Sequence, residues 1–299
     1  MGDSMRTPDS SSVAGRPFAG LFDPHVHTEL ASCAEDITAA AALARARELN
    51  LAIGFAEHAD QIYFPRADYF AKYEAEAGKR SVLAAARSAG HCRFNQYRRL
   101  AAPLAAQGVP VGLEVEAAQD APGLAVLDED LAGWDYLLGA VHEFRQGQRP
   151  WTPSVAETAP DGSAATLREA AESLPRPDAD LARDFLVQVG KLCSGGVDVL
   201  AHPFRVFLRK QREVPKQLYR PVAEILAAHG IAAEINFHVN RPDPEFFALC
   251  LELGVKLSVG SDSHAMHEVG ALEKHAGLLQ ELGVAGRLDE VLWRPTADW

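Results

Sequence analysis

Cysteine is scarce: four residues among 299, at positions 33, 92, 193 and 250, with no C-x-x-C pair. That spacing excludes a dense disulfide framework and suits a reducing compartment, so a cytoplasmic location is expected. Long apolar runs are missing too, and with no stretch of about eighteen uncharged apolar residues a membrane-spanning helix is excluded. The first twenty residues are rich in Ser, Gly, Pro and charge and lack the apolar centre of a secretory signal. Positive charge is in the minority, 29 Lys and Arg against 41 Asp and Glu for a net −12. Stable nucleic-acid binding needs a basic face that releases counterions, and it is not expected. An acidic chain still accepts an anionic substrate if bound cations turn one pocket positive.

What is present is a large apolar fraction, 47%, arranged in alternating short and long patterns. Residues 1–18 read as a tail and 19–299 as a single domain. Strands are predicted at Leu21–Phe22, Leu51–Phe55, Val109–Val115, Tyr136–Val141, Val197–Ala201, Ile231–Ile235 and Val255–Val259. Helical spacing occupies Ile37–Leu49, Val82–Ala105, Leu181–Cys193, Pro221–His229, Pro244–Leu253 and Glu268–Leu282. Gly230 and Gly254 read as helix stops, and Asp243-Pro244 as an N-cap followed by proline at the first helical position. Repeated β-then-α units argue for a parallel α/β protein. Gln146–Asp178, rich in Pro, Ser, Ala, Gly and Thr, breaks the rhythm and reads as a loop insert, with a short helix near Ala164–Leu174.

Each predicted strand is followed by polar chemistry. The first ends in Asp23-Pro24-His25-Val26-His27, the second in Glu57-His58, and the third contains Gly112-Leu113-Glu114-Val115-Glu116. Val141-His142-Glu143, Ala201-His202-Pro203, Glu234-Ile235-Asn236 and Ser261-Asp262-Ser263-His264 follow in turn. In a parallel barrel all strand C-termini lie on one face, so residues spread over the chain converge on one pocket. A single histidine there is usually a hydrogen-bonded neutral side chain. Six of the eleven histidines at equivalent strand ends, accompanied by Glu114 and Asp262, point instead to a metal centre. The other five divide: His91, His229 and His275 fall in or beside helical segments and are expected at the solvated surface, whereas His238 and His267 follow strands and are candidates for the pocket rim. Asp23 and Glu57 are placed to fix the tautomer of a neighbouring histidine. Asp60 and Glu143 either do the same or face solvent, and Glu116, two positions from Glu114, is placed to line the pocket.

This series, H-x-H, E-H, G-x-E, V-H, H-P and S-D-x-H followed by Val269-Gly270, resembles the polymerase-and-histidinol-phosphatase (PHP) superfamily from about Phe22 to Gly283. The resemblance implies a distorted (β/α)7 TIM-like barrel holding three divalent ions, zinc, manganese or iron. It assigns His25, His27, Glu114 and Asp262 to one ion, the bridging Glu114 with His142 and His202 to a second, and Cys33, His58 and His264 to a third. Relatives more often carry His or Asp where this chain has Cys33; a thiolate favours zinc over harder ions.

Among members, the monofunctional histidinol-phosphate phosphatases are most similar, through Glu57-His58, Tyr63-Phe64-Pro65, Val141-His142-Glu143 and Glu234-Ile235-Asn236. The resemblance thus implies hydrolysis of a small phosphorylated substrate, in histidine biosynthesis, by a metal-generated hydroxide. Glu114 and His264 are then catalytic candidates together with Arg205 and Arg209, which stand out of exact register with the arginine that family members place beyond the fifth-strand histidine. Arg205, Arg209, Arg241, Asn236 and His238 are the substrate-binding candidates. A phosphodiesterase or nucleotide phosphatase of the same fold is the alternative, and a non-catalytic metal-binding module is the alternative of another class. Amidohydrolase-type barrels carry a carboxylated lysine at a central strand, and no predicted strand here ends in Lys. The oligomeric state is left open.

Overall fold

The computed structural model describes residues 20–144, 178–209 and 212–295. The expected tail over residues 1–18 and all of the 146–178 insert except Asp178 lie outside the described residues.

Seven strands form one parallel sheet in strict sequence order: β1 (Phe22–Val26), β2 (Ala52–His58), β3 (Val111–Glu116), β4 (Leu137–Ala140), β5 (Val199–Leu200), β6 (Ala232–Asn236) and β7 (Leu257–Gly260). Each neighbouring pair is parallel. The ends of the sheet meet: the His27 N–H donates to the Ser263 carbonyl at 3.0 Å and the Ser263 N–H to the His25 carbonyl at 3.3 Å. The result is a nearly closed, distorted (β/α)7 barrel. Its distortion begins in β1, where the register with β2 shifts between Asp23 and Val26, at Pro24, which has no N–H to give the ladder.

Among the described residues the helices are α1 (Ala39–Leu49), α2 (Ala59–Ile62), α3 (Arg80–Ser88), α4 (Phe94–Ala105), α5 (Asp128–Leu131), α6 (Asp178–Ser194), α7 (Arg205–Arg209), α8 (Tyr219–His229), α9 (Pro244–Glu252), α10 (Glu273–Glu281) and α11 (Leu288–Val291). Thr38 caps α1 by accepting the Ala41 N–H, and Asp243 caps α9 with Pro244 in its first turn. The single helix expected over 82–105 is two. α3 ends before Gly90, whose φ of 78° no helix interior adopts, and the Arg93 N–H leaves the helical ladder for the Ile62 carbonyl at 2.8 Å. The helix expected from Glu268 starts five residues later, because Glu268 spends its carboxylate on the N–H groups of His264 and Ala265. Between β2 and α3 the chain makes the short α2, a 3-10 turn at Arg66–Asp68 and a π-turn at Tyr69–Tyr73, which apolar periodicity did not foretell.

Alternation along the strands divides the side chains. One set packs outward against the helices in the main apolar core. The other forms a smaller cluster of Ala56, Tyr136, Leu138, Ala140, Val199, Ala201 and Ala232 beside Trp293. Tyr136 plugs that end, its hydroxyl donating to the Pro24 carbonyl at 2.6 Å. At the C-terminal end of the same alternating positions stand the charged residues, which the seven strand ends bring together.

Candidate metal centre

His25, His27, Glu57, Glu114, Glu234 and Asp262 are all buried at the strand ends, with His58 and His202 almost as deep. A polar group this deep needs a partner, and a charge needs a counter-charge. Glu114 is the hub. Its Oε2 lies 2.7 Å from His58 Nδ1, 3.5 Å from His25 Nε2 and 3.7 Å from His27 Nε2. Its Oε1 lies 2.9 Å from His202 Nε2 and 3.1 Å from His142 Nε2. Asp262 Oδ1 approaches His27 Nε2 at 3.1 Å and His25 Nε2 at 3.4 Å, while its Oδ2 takes the Arg205 guanidinium.

Three carboxylates behind the histidines set their orientation. Nδ1 of His25 donates to Glu234 at 2.7 Å, Nδ1 of His27 to Glu57 at 3.2 Å, and Nδ1 of His142 to Glu116 at 2.7 Å. Because a carboxylate only accepts, each ring carries its proton on Nδ1 and turns Nε2 toward Glu114, the orientation a metal-ligating imidazole requires. Close as these atoms lie to one another, His25 Nε2, His142 Nε2 and Glu114 Oε2 are buried there with no partner in hydrogen-bonding geometry. Orphaned donors and acceptors crowded around one point are what a cation would satisfy, and the residues present therefore fit a metal cluster. Close groups of ligand atoms are His25, His27 and Glu114; His58, Glu114 and His142; His27, His58 and His264; and His238, His264 and Glu268.

Electrostatics of the bare side chains agree. Burial opposes charge on every member, yet His58, His142 and His25 hold Glu114 well below the usual carboxylate range. His25 and Arg205 do the same for Asp262. Against burial, Asp262 and Glu57 push His27 up to about 9, and Glu114 and Glu116 push His142 up to about 10. Protons on these rings stand in for divalent ions. His202 and His264 run the other way, burial driving His202 well below its ordinary value and His264 to about 3, aided by Arg205 and His27 respectively.

Backbone strain is concentrated here. Of the described non-glycine residues at positive φ, Asn50 is a helix C-cap; His202 (31°), Phe204 (67°), Val239 (47°) and Asp262 (56°) all follow β5, β6 or β7. Such conformations cost about 1–3 kcal/mol each and persist where surrounding contacts impose them.

The remaining candidates separate by position. Arg205 is buried against Asp262 with its Nε unpartnered, whereas Arg209 and Arg241 are exposed. Asn236 is buried and braces the Glu234 carboxylate at 3.1 Å. His238, half-buried at the rim, donates to Glu268 at 3.0 Å and lies 5.1 Å from the His264 ring. Cys33 is part-buried with its Sγ against the Gln61 amide at 3.7–3.8 Å; among the described residues it joins none of the close ligand groups. Asp23, expected to fix a histidine tautomer, holds backbone instead: its Oδ1 accepts the N–H groups of His25 and Ser261, both at 3.1 Å. Asp60 accepts from the Tyr69 hydroxyl. His229 and His267 are exposed, while His91, half-buried, sits in the link between α3 and α4. His275, expected at the surface, is buried, because its ring reaches the Gly260 carbonyl at 3.0 Å and packs edge-on against Phe237.

Sequence reasoning missed the roles of Glu234 and Glu268. A carboxylate inside the otherwise apolar run of β6 was the available signal for the first, and its spacing of four from His264 for the second. It also missed Gly260: a Cβ there would meet Glu234 Oε1 at 1.8 Å, so only glycine lets that carboxylate reach His25.

A PHP-domain family profile matches residues 23–238. No curated protein matches the chain significantly. Among solved structures, the histidinol phosphate phosphatase (HisK) of Lactococcus lactis subsp. lactis Il1403, complexed with zinc, L-histidinol and phosphate, is similar at a TM-score of 0.52 and 17% identity, over 86% of this chain and 94% of that one. A candidate histidinol phosphatase hisK from Listeria monocytogenes is similar at a TM-score of 0.49 and 12% identity, over 83% of this chain and 97% of that one.

Proposed function

The chain belongs to the PHP-domain family, and we propose that it is a phosphoric monoester hydrolase of the histidinol-phosphatase kind, working with three divalent ions of zinc, manganese or iron. The observation that carries this reading is the convergence of five imidazoles, three of them anchored from behind by carboxylates, on the two oxygens of Glu114. Oε2 faces His25, His27 and His58 while Oε1 faces His142 and His202, a disposition suited to bridging two ions. On this reading His25, His27, Glu114 and Asp262 hold one ion, Glu114, His142 and His202 a second, and His58 with His264 contribute to a third, together with Cys33 as the family resemblance implies. When bound, such ions act as Lewis acids on phosphoryl oxygens and lower the pKa of water toward ~7.

The side chains supply orientation and charge. Glu57, Glu116 and Glu234 hold three imidazoles in the ligating tautomer. Arg205 keeps one guanidinium nitrogen on Asp262 and has its Nε free of protein partners, and so suits a non-bridging phosphate oxygen. Arg209 and Arg241, both exposed, would reach the substrate only from the rim.

L-histidinol phosphate is the favoured substrate, because the zinc-loaded Lactococcus protein of similar fold binds histidinol and phosphate. No helix among the described residues is long and apolar enough to cross a membrane. The test is hydrolysis of L-histidinol phosphate, nucleoside monophosphates and phosphodiesters by chelator-treated protein reloaded with zinc, manganese or iron. Preference for histidinol phosphate supports the reading. Preference for diesters or nucleotides moves the chain to another hydrolase of this fold, and inactivity of the fully loaded protein on all of them makes it a binding module.

A further inference from the structure

We infer that the outermost ion of this chain is held by His264 together with His238 and Glu268, in the place that the family resemblance gives to Cys33. The inference rests on the trinuclear reading above and changes one seat of it.

The geometry is built. Glu268 accepts the backbone N–H groups of His264 at 2.7 Å and Ala265 at 3.0 Å through Oε2, and its Oε1 reaches His238 Nδ1 at 3.0 Å. The His238 backbone N–H is fixed by the Asn236 side chain at 2.9 Å. His264 donates from Nδ1 to the Asp262 carbonyl at 2.8 Å, which leaves Nε2 for an ion. The two rings lie 5.1 Å apart, and one ligand atom from each of the three residues falls within 4.8 Å of the others. Two imidazoles and a carboxylate are a common zinc donor set, with a fourth position left for water or substrate. The side chains of His238 and Glu268 are 26% and 23% exposed, so an ion can enter from the mouth. An ion seated among them replaces the proton that links His238 to Glu268.

Cys33 has none of these features. Its Sγ faces the amide of Gln61, whose Oε1 is also engaged by the Ser32 N–H at 2.5 Å. Since His264 also lies within ligand distance of His27 and His58, an ion on the outer group stays contiguous with the inner two. A thiol thus stands where the family resemblance implies His or Asp, while a histidine after β6 and a glutamate after β7 close on the shared histidine.

The experiment is a zinc count by equilibrium dialysis and mass spectrometry on the full chain, comparing wild type, Cys33→Ala, His238→Ala and Glu268→Gln, with circular dichroism to establish folding. Three ions are expected for wild type and Cys33→Ala, and two for the His238 and Glu268 variants. Cobalt-loaded wild type, which needs no variant to fold, is expected to lack thiolate-to-metal charge-transfer absorption. Loss of an ion from Cys33→Ala, full occupancy in both rim variants, fewer than three ions in wild type, or a thiolate band would each overturn the inference. Activity on histidinol phosphate is read separately: a protein with the expected counts and a different substrate preference refutes the proposed substrate and leaves the outer seat intact.

Discussion

Replacing Glu234 with glutamine removes one charge and almost no volume from a fully buried position. The carboxylate serves three donors: His25 Nδ1 at 2.7 Å, the His202 N–H at 2.6 Å and Asn236 Nδ2 at 3.1 Å. A glutamine has one carbonyl oxygen. If that oxygen stays with the His202 and Asn236 donors, its NH2 faces His25 Nδ1, and the ring must become an acceptor there. The proton then moves to Nε2, the atom aimed at Glu114 and Asp262, and His25 can no longer ligate. If the amide turns over, the buried His202 N–H faces a second donor. Either way a charge-assisted bond, worth about 1.5–3 kcal/mol, is exchanged for a mismatched contact. Taking about 2 kcal/mol for the loss and 1.4 kcal/mol per tenfold, the ion at His25 binds about 30-fold more weakly. Competition for zinc between the metal-free protein and a chromophoric chelator measures this directly, with circular dichroism to show an unchanged fold. An unaltered zinc affinity in folded Glu234→Gln would refute the claim that this carboxylate sets the tautomer of a metal ligand.

Gly260→Ala should reach the same ion from the other side, since its Cβ overlaps Glu234 Oε1; a loss of about 1–3 kcal/mol of stability by denaturant titration is expected alongside weaker zinc binding. Glu114→Gln should lower turnover of the metal-loaded enzyme by several orders of magnitude, and Glu116→Gln, which removes the carboxylate behind His142, by about 10–100-fold; the two rates measured side by side test which carboxylate is the hub, and the reverse order would exchange them. Metal-free protein should lose stability as pH rises. His27 titrates near 9 and His142 near 10 when folded, against 6.5 ordinarily, so the folded chain holds more protons than the unfolded chain in that window. Their contribution is complete below about pH 6.5 and is lost as pH climbs through both values. Urea unfolding of chelated protein at about pH 6 and about pH 10 checks the sign, and greater stability at the higher pH contradicts it. For the same reason, zinc uptake in this range should release protons, measurable by calorimetry in buffers of different ionisation enthalpy.

The pattern of the chain was enough to announce a parallel α/β protein, because a parallel sheet buried on both faces needs short apolar runs alternating with amphipathic helices; the seven-stranded barrel came from the family resemblance. It was also enough to announce a candidate metal centre. His25, His27, His58, Glu114, His142, His202, Asp262 and His264 each follow or end such a run, and parallel topology carries all strand ends to one side. What resisted reading was of two kinds. Local breaks, such as the split between α3 and α4, arise from Gly90 and from an Arg93 whose guanidinium reaches the carbonyls of Leu30, Gln61 and Phe64; periodicity does not register contacts across loops. Pairings across the barrel are the other kind.

The covalent order of the chain alone determined which residue types stand at each strand end, since that depends only on local alternation and on where each apolar run stops. Only the tertiary structure decided that Glu234 serves His25, 209 residues away, that Glu116 and not a nearer group serves His142, and that Cys33 turns to Gln61 while His238 and Glu268 close on His264. Those choices depend on barrel closure between β1 and β7 and on the positive-φ turns after β5, β6 and β7, which aim side chains by a few ångströms that spacing along a sequence does not encode.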